Sequence, residues 1–300
     1  MKVLISGGSG LVGTALTESL LGERHTVAHL VRPGGAASAN DIRWDAASGF
    51  INLDAMEAAD AVVNLNGASI GSGRWTPARK KLLVTSRVDS TRFLVDSLAR
   101  LKQKPRVFVS ASAIGYYGDR GEEVLDESSA SGNDFLAEVC RDWEAEALRA
   151  QASGIRTVLP RFGVILSAKG GALTQMLTPF KLGLGGRLGS GNQWMSWVAL
   201  DDVIGILRSA LSNEHASGSV NVVAPNPVQN SEFTRVLASV LHRPAIFPAP
   251  AFALRLAIGE MADALLLSSQ RVQSKRPPAS TYAFRYENLE PALHAILAKH

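Results

Sequence analysis

Three glycines spaced three apart, Gly7, Gly10 and Gly13, stand directly after the apolar run Lys2–Ser6 (KVLIS) and directly before a stretch of helical periodicity. Strand, glycine loop and helix in that order are what a phosphate-binding turn requires. One glycine permits the tight turn, the next lets the backbone approach a pyrophosphate, and the third lets helix and strand pack closely. The N–H groups of the first helical turn then face the phosphates. The expected contacts run through Gly7, Gly8, Ser9, Gly10, Leu11, Val12 and Gly13, and the expected ligand is a dinucleotide.

The next β-rich run, Thr26–Val31, carries no acid, and Arg32 follows it at once. An acid there would hold the ribose 2′-OH of NAD, whereas an arginine accommodates the 2′-phosphate of NADP through its planar fork of donors. NADP(H) is therefore expected in preference to NAD(H). Asn66, Gly67 and Ala68 follow the candidate strand Ala61–Leu65, whose carboxyl end borders the cleft at the switch point of such sheets. Ser110 and Ala111 close the strand Val107–Ser110 and join the same cofactor wall.

These residues need a frame, and the pattern supplies one. Besides the runs already named, Thr157–Leu159 and Val220–Val223 have strand character, and helical patterns cover Leu11–Leu21, Pro77–Leu101, Phe135–Ala152, Leu173–Leu182, Ser231–Leu241 and Ala253–Leu267. Thr76 before Pro77 is an N-cap followed by an N1 proline, and Gly154 is a stop signal. Alternating strands and helices argue for right-handed βαβ units and a parallel sheet covered on both faces. The glycine-rich stretch Ser167–Gly191 reads as loop and turn around one short helix. No internal repeat or low-complexity linker interrupts the chain.

Composition narrows the class. The chain has 300 residues, 46% of them hydrophobic and 19% charged, which excludes general disorder. No apolar run approaches the roughly 18 residues of a membrane helix, and the opening MKVLISGGSG does not read as a signal peptide. One cysteine, Cys140, excludes an intrachain disulfide and a cysteine-rich zinc site. A reducing, cytoplasmic setting is expected. The 31 basic and 27 acidic residues are interspersed, so neither a nucleic acid nor a membrane is an expected partner. A small-molecule substrate is. The six histidines, His25, His29, His215, His242, His294 and His300, have no metal-ligand spacing, and no metal is expected.

ISGGSGLVG at Ile5–Gly13 resembles the nucleotide loop of the extended short-chain dehydrogenase/reductases, the NAD-dependent epimerase/dehydratase superfamily. NLNGASI at Asn64–Ile70, RW at Arg74–Trp75, SRVDST at Ser86–Thr91, SASAIGYYG at Ser110–Gly118, the glycine-rich block Gly170–Trp197 and QRV at Gln270–Val272 resemble an atypical branch, the "epimerase family" proteins. The resemblance covers nearly the whole chain. It implies an α/β fold with a Rossmann-type doubly wound parallel sheet, an NADP-type cofactor and a smaller C-terminal α/β lobe. The expected division is 1–165 for the nucleotide-binding part, its sheet completed by about 198–224, with 166–197 and 225–300 as the smaller lobe.

The catalytic pattern of that superfamily is broken here. Its members use a Tyr whose proton transfer is assisted by a Lys four residues later, with a Ser or Thr polarising the substrate. Tyrosine ionises near pH 10 without such help. Four residues after Tyr116, Tyr117, Tyr282 and Tyr286 stand Arg120, Gly121, Tyr286 and Glu290, so no Tyr-x-x-x-Lys exists. Aligning the helix Asn133–Leu148 on Glu144 puts Leu136 at the tyrosine position and Cys140 at the lysine position. Cys140 reads either as a reactive thiol or as a small buried hydrophobe.

Ser112 aligns with the Ser/Thr position, and Tyr116 and Tyr117 follow it in the same loop. Either tyrosine could act as an unusual acid beside Arg120 or Arg161, or one could pack while the other is exposed. Arg87 stands where extended relatives carry an asparagine and is expected to bind a phosphate or a substrate anion. Arg161, Gln193, Trp194 and Trp197 are the expected substrate wall, Arg161 as its cationic element and the two tryptophans alternatively as core. Two functional classes follow: an oxidoreductase or epimerase working by hydride transfer on a small carbonyl or sugar-nucleotide-like substrate, and a non-catalytic NADPH-binding sensor or interaction protein.

Overall fold

The computed structural model describes residues 1–35, 38 and 40–298; His300 lies outside them. Strands β1 (Lys2–Ser6), β2 (Thr26–Val31), β3 (Ile42–Asp45), β4 (Phe50–Ile51), β5 (Ala61–Asn64) and β6 (Val107–Ser110) form the first part of the main sheet. Beyond β6 come β7 (Ser112–Ala113), β8 (Val124–Leu125), β9 (Arg156–Phe162), β10 (Val164–Leu166), β11 (Trp194–Met195), β12 (Trp197–Ala199), β13 (Gly218–Val222), β14 (Val228–Gln229) and β15 (Arg271–Val272). The main sheet runs β13-β9-β6-β5-β1-β2-β3-β4, with β7 beside β9. All its pairs are parallel except β3–β4. The sequence order reverses between β1 and β5, the switch point beside which ligands sit in such sheets.

The helices are α1 (Leu11–Gly22), α2 (Leu53–Met56), α3 (Pro77–Thr85), α4 (Val88–Ala99), α5 (Phe135–Leu148), α6 (Ala172–Lys181), α7 (Leu200–Ser212), α8 (Asn230–Leu241), α9 (Ala251–Ile258) and α10 (Leu289–Ala298). One buried cluster joins α1 and α7 to one sheet face through Leu16, Leu20, Val203 and Leu207. A second joins α4 and the end of α5 to the other face through Leu94, Leu98 and Ala147. The doubly covered parallel sheet is the expected one. A third cluster, with Leu173, Phe180, Trp197, Phe233 and Leu293, forms the core of the C-terminal part.

Two boundaries depart from the sequence reading with clear causes. The helix expected over Pro77–Leu101 is two helices, broken at Ser86 and Arg87. The Ser86 hydroxyl accepts from the Ala68 amide at 3.0 Å and donates to Leu83 O at 3.3 Å, competing with the helical ladder. The helix expected over Ala253–Leu267 is interrupted after Ile258, where Gly259 takes φ 66°, and helical turns resume to reach Leu267. Thr76 caps α3 through the Arg79 amide with Pro77 in the first turn, and Gly154 ends its segment in the left-handed region, both as expected.

Candidate functional site

The glycine loop has no room for side chains at three places. A Cβ on Gly7, where φ is +74°, would lie 2.5 Å from Leu65 O; one on Gly8 would lie 2.3 Å from His29 Cδ2. A Cβ on Gly13 would lie 2.3 Å from Gly7 O and 2.7 Å from Gly8 Cα. Gly10 is the N-cap of α1 and supplies no side-chain cap, so the first-turn N–H groups are left for a ligand. Ser9 and Gly10 are exposed, and Leu11 and Val12 half-buried. His29 braces the loop from β2, with Nε2 3.0 Å from Thr17 Oγ1 and Nδ1 3.2 Å from Asp41 Oδ1. Its role was not legible, because nothing in the spacing of a lone histidine points to a glycine twenty-one positions earlier.

Arg32 is exposed directly after β2. Strand β3, which the sequence reading missed, pairs Arg43 with Val31 and so adds a second exposed arginine at this edge. On the opposite side of β1, Asn64 organises the strand ends. Its Oδ1 accepts from Ser6 Oγ at 2.8 Å and Asn66 Nδ2 at 3.0 Å, and its Nδ2 donates to Thr91 and Ser110 hydroxyls. Ser110 and Ala111 are buried. Ser110 therefore acts inside this network, correcting its expected place on the cofactor wall.

Arg87 bears on the neighbouring loop. It donates to Ala68 O and Leu83 O, lies against Gly67, and stacks over Trp143 with its Cζ 5.4 Å from the ring centroid. Burial pulls its pKa below the usual arginine value. It fixes the Asn66–Ala68 loop through these carbonyls, and no carboxylate among the described residues pairs with it.

Ser112, Tyr117 and Arg161 converge, as expected, but on one another. β7 pairs Ser112 with Arg161 of β9, and α5 brings Glu144 between them. Arg161 grips Glu144 in a fork, Nε to Oε1 and Nη2 to Oε2 both at 2.8 Å, and Ser112 Oγ donates to Oε1 at 2.6 Å. Arg161 Nη1 donates to the Tyr117 hydroxyl at 3.0 Å, which donates to Asn221 Oδ1 at 2.8 Å. Arg161 is only 3% exposed. Burial alone would lower its pKa, but the bonds and charge of Glu144 outweigh it and raise it. Burial also pushes Tyr117 up to about 12.

Three expectations change accordingly. Arg161 is neutralised by Glu144 and is not the pocket's free cation. Tyr117 is fully buried and hydrogen-bonded, so its proton is not available to a substrate. The proton of Ser112 is committed to a carboxylate, so its hydroxyl does not polarise a carbonyl. Tyr116 differs: it is half-buried, its ring centroid lies 3.5 Å from Arg161 Cζ, and its hydroxyl has no bond to any described residue. Arg120, the other expected cation, is held by Glu123.

Leu136 and Cys140 do occupy one spot, facing Gly115. Cys140 is buried, its Sγ 3.8 Å from Ala113 O, and burial pushes its pKa up to about 12. The reactive-thiol reading does not fit. The unfolded thiol ionises near pH 8.5, so this group's contribution is complete below that pH and is lost as pH rises toward about 12. Urea unfolding between pH 8 and pH 11 should show falling stability, less steeply in Cys140→Ala. Equal slopes would remove Cys140 from the account.

Of the expected substrate wall, Trp197 is core: it is fully buried and its Nε1 donates to Asn226 O at 3.0 Å. Gln193 is buried and ties Leu188 O to Leu266 O. Trp194 remains half-buried, bonded to Glu122 at 2.7 Å and covered by Arg271 at 4.3 Å. Gln270 of the tail bonds to Ile114 O and Gly118 O, locking that tail to the tyrosine loop. Among the described residues no acid, His and Cys group could hold a metal ion, and no helix is long and apolar enough to cross a membrane.

A doubly wound sheet with a glycine-lined turn at its switch point defines a nucleotide-binding α/β protein, and the chain belongs to the NAD-dependent epimerase/dehydratase family, whose model matches residues 3–223. Within it the chain is an atypical short-chain dehydrogenase/reductase of the epimerase-family type, and residues 249–296 match a domain of unknown function, DUF1731. It is 41% identical over 291 residues to Epimerase family protein Mb2239 of Mycobacterium bovis, covering 97% of this chain and 96% of that one. It is 38% identical over 302 residues to Epimerase family protein YfhF of Bacillus subtilis, covering 99% and 98%. A crystal structure of human epimerase family protein SDR39U1 (isoform 2) with NADPH superposes with a TM-score of 0.91 at 35% identity, covering all of both chains.

Proposed function

We propose that this chain binds NADP(H) and transfers hydride between the nicotinamide and a small carbonyl or sugar-nucleotide-like substrate. The observation that carries the cofactor is the cradle at Gly7, Gly8 and Gly13, which a Cβ would fill, at an α1 N-terminus without a side-chain cap. The NADPH in the human relative's structure supports the same reading. The loop amides would hold the pyrophosphate, and Arg32 with Arg43 would hold the 2′-phosphate. The bound nicotinamide supplies the hydride donor or acceptor. Asn66, oriented by Asn64, borders it, and Tyr116 serves as the proton donor because Ser112 and Tyr117 are committed elsewhere.

Fluorescence titration of NADPH and NADH should show NADPH binding at least tenfold tighter, with Arg32→Ala removing most of that preference. Equal affinities, or an unchanged preference in the variant, would remove Arg32 from the argument. Turnover of NADPH over a panel of carbonyl compounds and nucleotide sugars tests the reaction, and Tyr116→Phe should lower it about 100-fold or more without altering NADPH affinity. The second reading, a non-catalytic NADPH-binding sensor, is favoured by the closed Ser112–Glu144–Arg161–Tyr117 network. Tight NADPH binding with no turnover across the panel would select it.

A further inference from the structure

We infer that the C-terminal part carries a second ligand site, separate from the glycine loop, that binds a small organic phosphate. A cavity of about 460 Å³ lies between α8, the Gly183–Gly191 loop and the segment 245–248. Arg187, Ser231, Thr234 and Arg235 supply its polar lining, and no Asp or Glu lines it.

The donors are unspent. Thr234 is only 6% exposed, yet its hydroxyl bonds to none of the described residues and is not sealed from solvent. Neither the Ser231 hydroxyl nor the Arg235 guanidinium has a bond or ion pair among them, and Arg187 reaches only Ser190 O at 3.5 Å. Several other exposed arginines are spent on carboxylates, Arg255 on Asp263, Arg285 on Asp201 and Arg149 on Asp96.

The placement is built. Gly191 has φ +77°, and a Cβ there would lie 3.1 Å from Ser231 Cβ and 3.3 Å from Arg187 Cδ, so its bare backbone lets Arg187 run beside the first turn of α8. The Ser231 amide donates to Gly191 O at 2.8 Å, and the Leu188 amide to Asn230 Oδ1 at 2.8 Å, pinning loop to helix. Two guanidinium groups and two hydroxyls offer more donors and more charge than a carboxylate can use, and they match a tetrahedral dianion. The remaining wall, Ala238, Ala245, Ile246 and Pro248, is apolar and suits the organic part of a phosphate monoester. No residue of this lining belongs to the glycine loop or to the Ser112 network, so the site stands or falls independently of the cofactor reading.

Calorimetric titration of the full chain with phenyl phosphate and with inorganic phosphate provides the test. Phenyl phosphate should saturate one site and bind at least tenfold tighter than inorganic phosphate. Arg187→Ala and Arg235→Ala should each weaken it tenfold or more, whereas Lys181→Ala and the NADPH affinity of all three variants should stay within twofold. Both arginines are exposed, so unchanged melting temperatures check that the variants fold. Absence of saturation, loss equal in Lys181→Ala, or strict competition with NADPH would overturn the site. Sedimentation with phosphatidic acid vesicles without phenyl phosphate binding would also overturn it, by assigning the cations to a membrane surface.

Discussion

Glu144→Ala should destabilise the protein by about 3–5 kcal/mol, because it leaves a buried guanidinium without its counter-charge. Arg161 sits in the sheet with 3% exposure and cannot turn to water. Ser112 would lose its acceptor as well, and a buried donor left unsatisfied costs about 1–3 kcal/mol. Replacing both partners should be milder: Glu144→Leu with Arg161→Met removes the charges together, and apolar substitutes for a buried pair are often neutral or better. Urea unfolding of the wild type, the single variant and the pair measures this directly. A single variant within about 1 kcal/mol of wild type would mean that water reaches Arg161, against the closed network described above.

The glycine loop and the sheet were legible because their signals are local. Lys2–Ser6, Gly7–Gly13 and the helix after them occupy consecutive positions, so strand, turn and helix are read from one short stretch, and Gly13 is required by backbone of that same stretch. The Glu144–Arg161 pair was not legible. Seventeen residues separate the two, and only the parallel register of β7 on β9 brings Ser112 opposite Arg161. An arginine on a strand looks the same in sequence whether it faces a pocket or a carboxylate. The same limit explains Trp197, whose position beside a glycine-rich block suggested a pocket wall, while its ring packs in the third cluster.

Other misses have energetic causes. Helix α7 was read only as part of the stretch completing the sheet; it follows directly on the strand Trp197–Ala199, and tertiary packing of Val203, Ile206 and Leu207 holds it as helix. The break at Ser86 and Arg87 depends on side-chain bonds to a loop nearly twenty residues earlier, which periodicity cannot show. The missing Tyr/Lys pair, by contrast, was fully legible, because absence of a residue type from a position needs no geometry.

Gly13→Ala should abolish measurable NADPH binding, a loss of at least 100-fold, while Gly22→Ala leaves it unchanged. In the first case the new methyl group falls 2.3 Å from Gly7 O and 2.7 Å from Gly8 Cα. Both neighbours are backbone, so the loop itself must move, and the amides that face the pyrophosphate move with it. Overpacking of this kind also destabilises a fold by about 1–3 kcal/mol. A Cβ at Gly22 meets nothing within 4 Å, and alanine in place of glycine in a helix stabilises it by about 0.5–1 kcal/mol. Gly8→Ala should fall between the two, since its methyl would meet His29, a side chain that can shift once its bonds to Thr17 and Asp41 give way. Adding His29→Ala to Gly8→Ala should then recover part of the lost affinity, whereas it should do nothing for Gly13→Ala. NADPH titration of the five variants, with melting temperatures measured in parallel, separates loss of the cradle from loss of the fold. Wild-type affinity in a folded Gly13→Ala protein would show that the phosphates are held elsewhere.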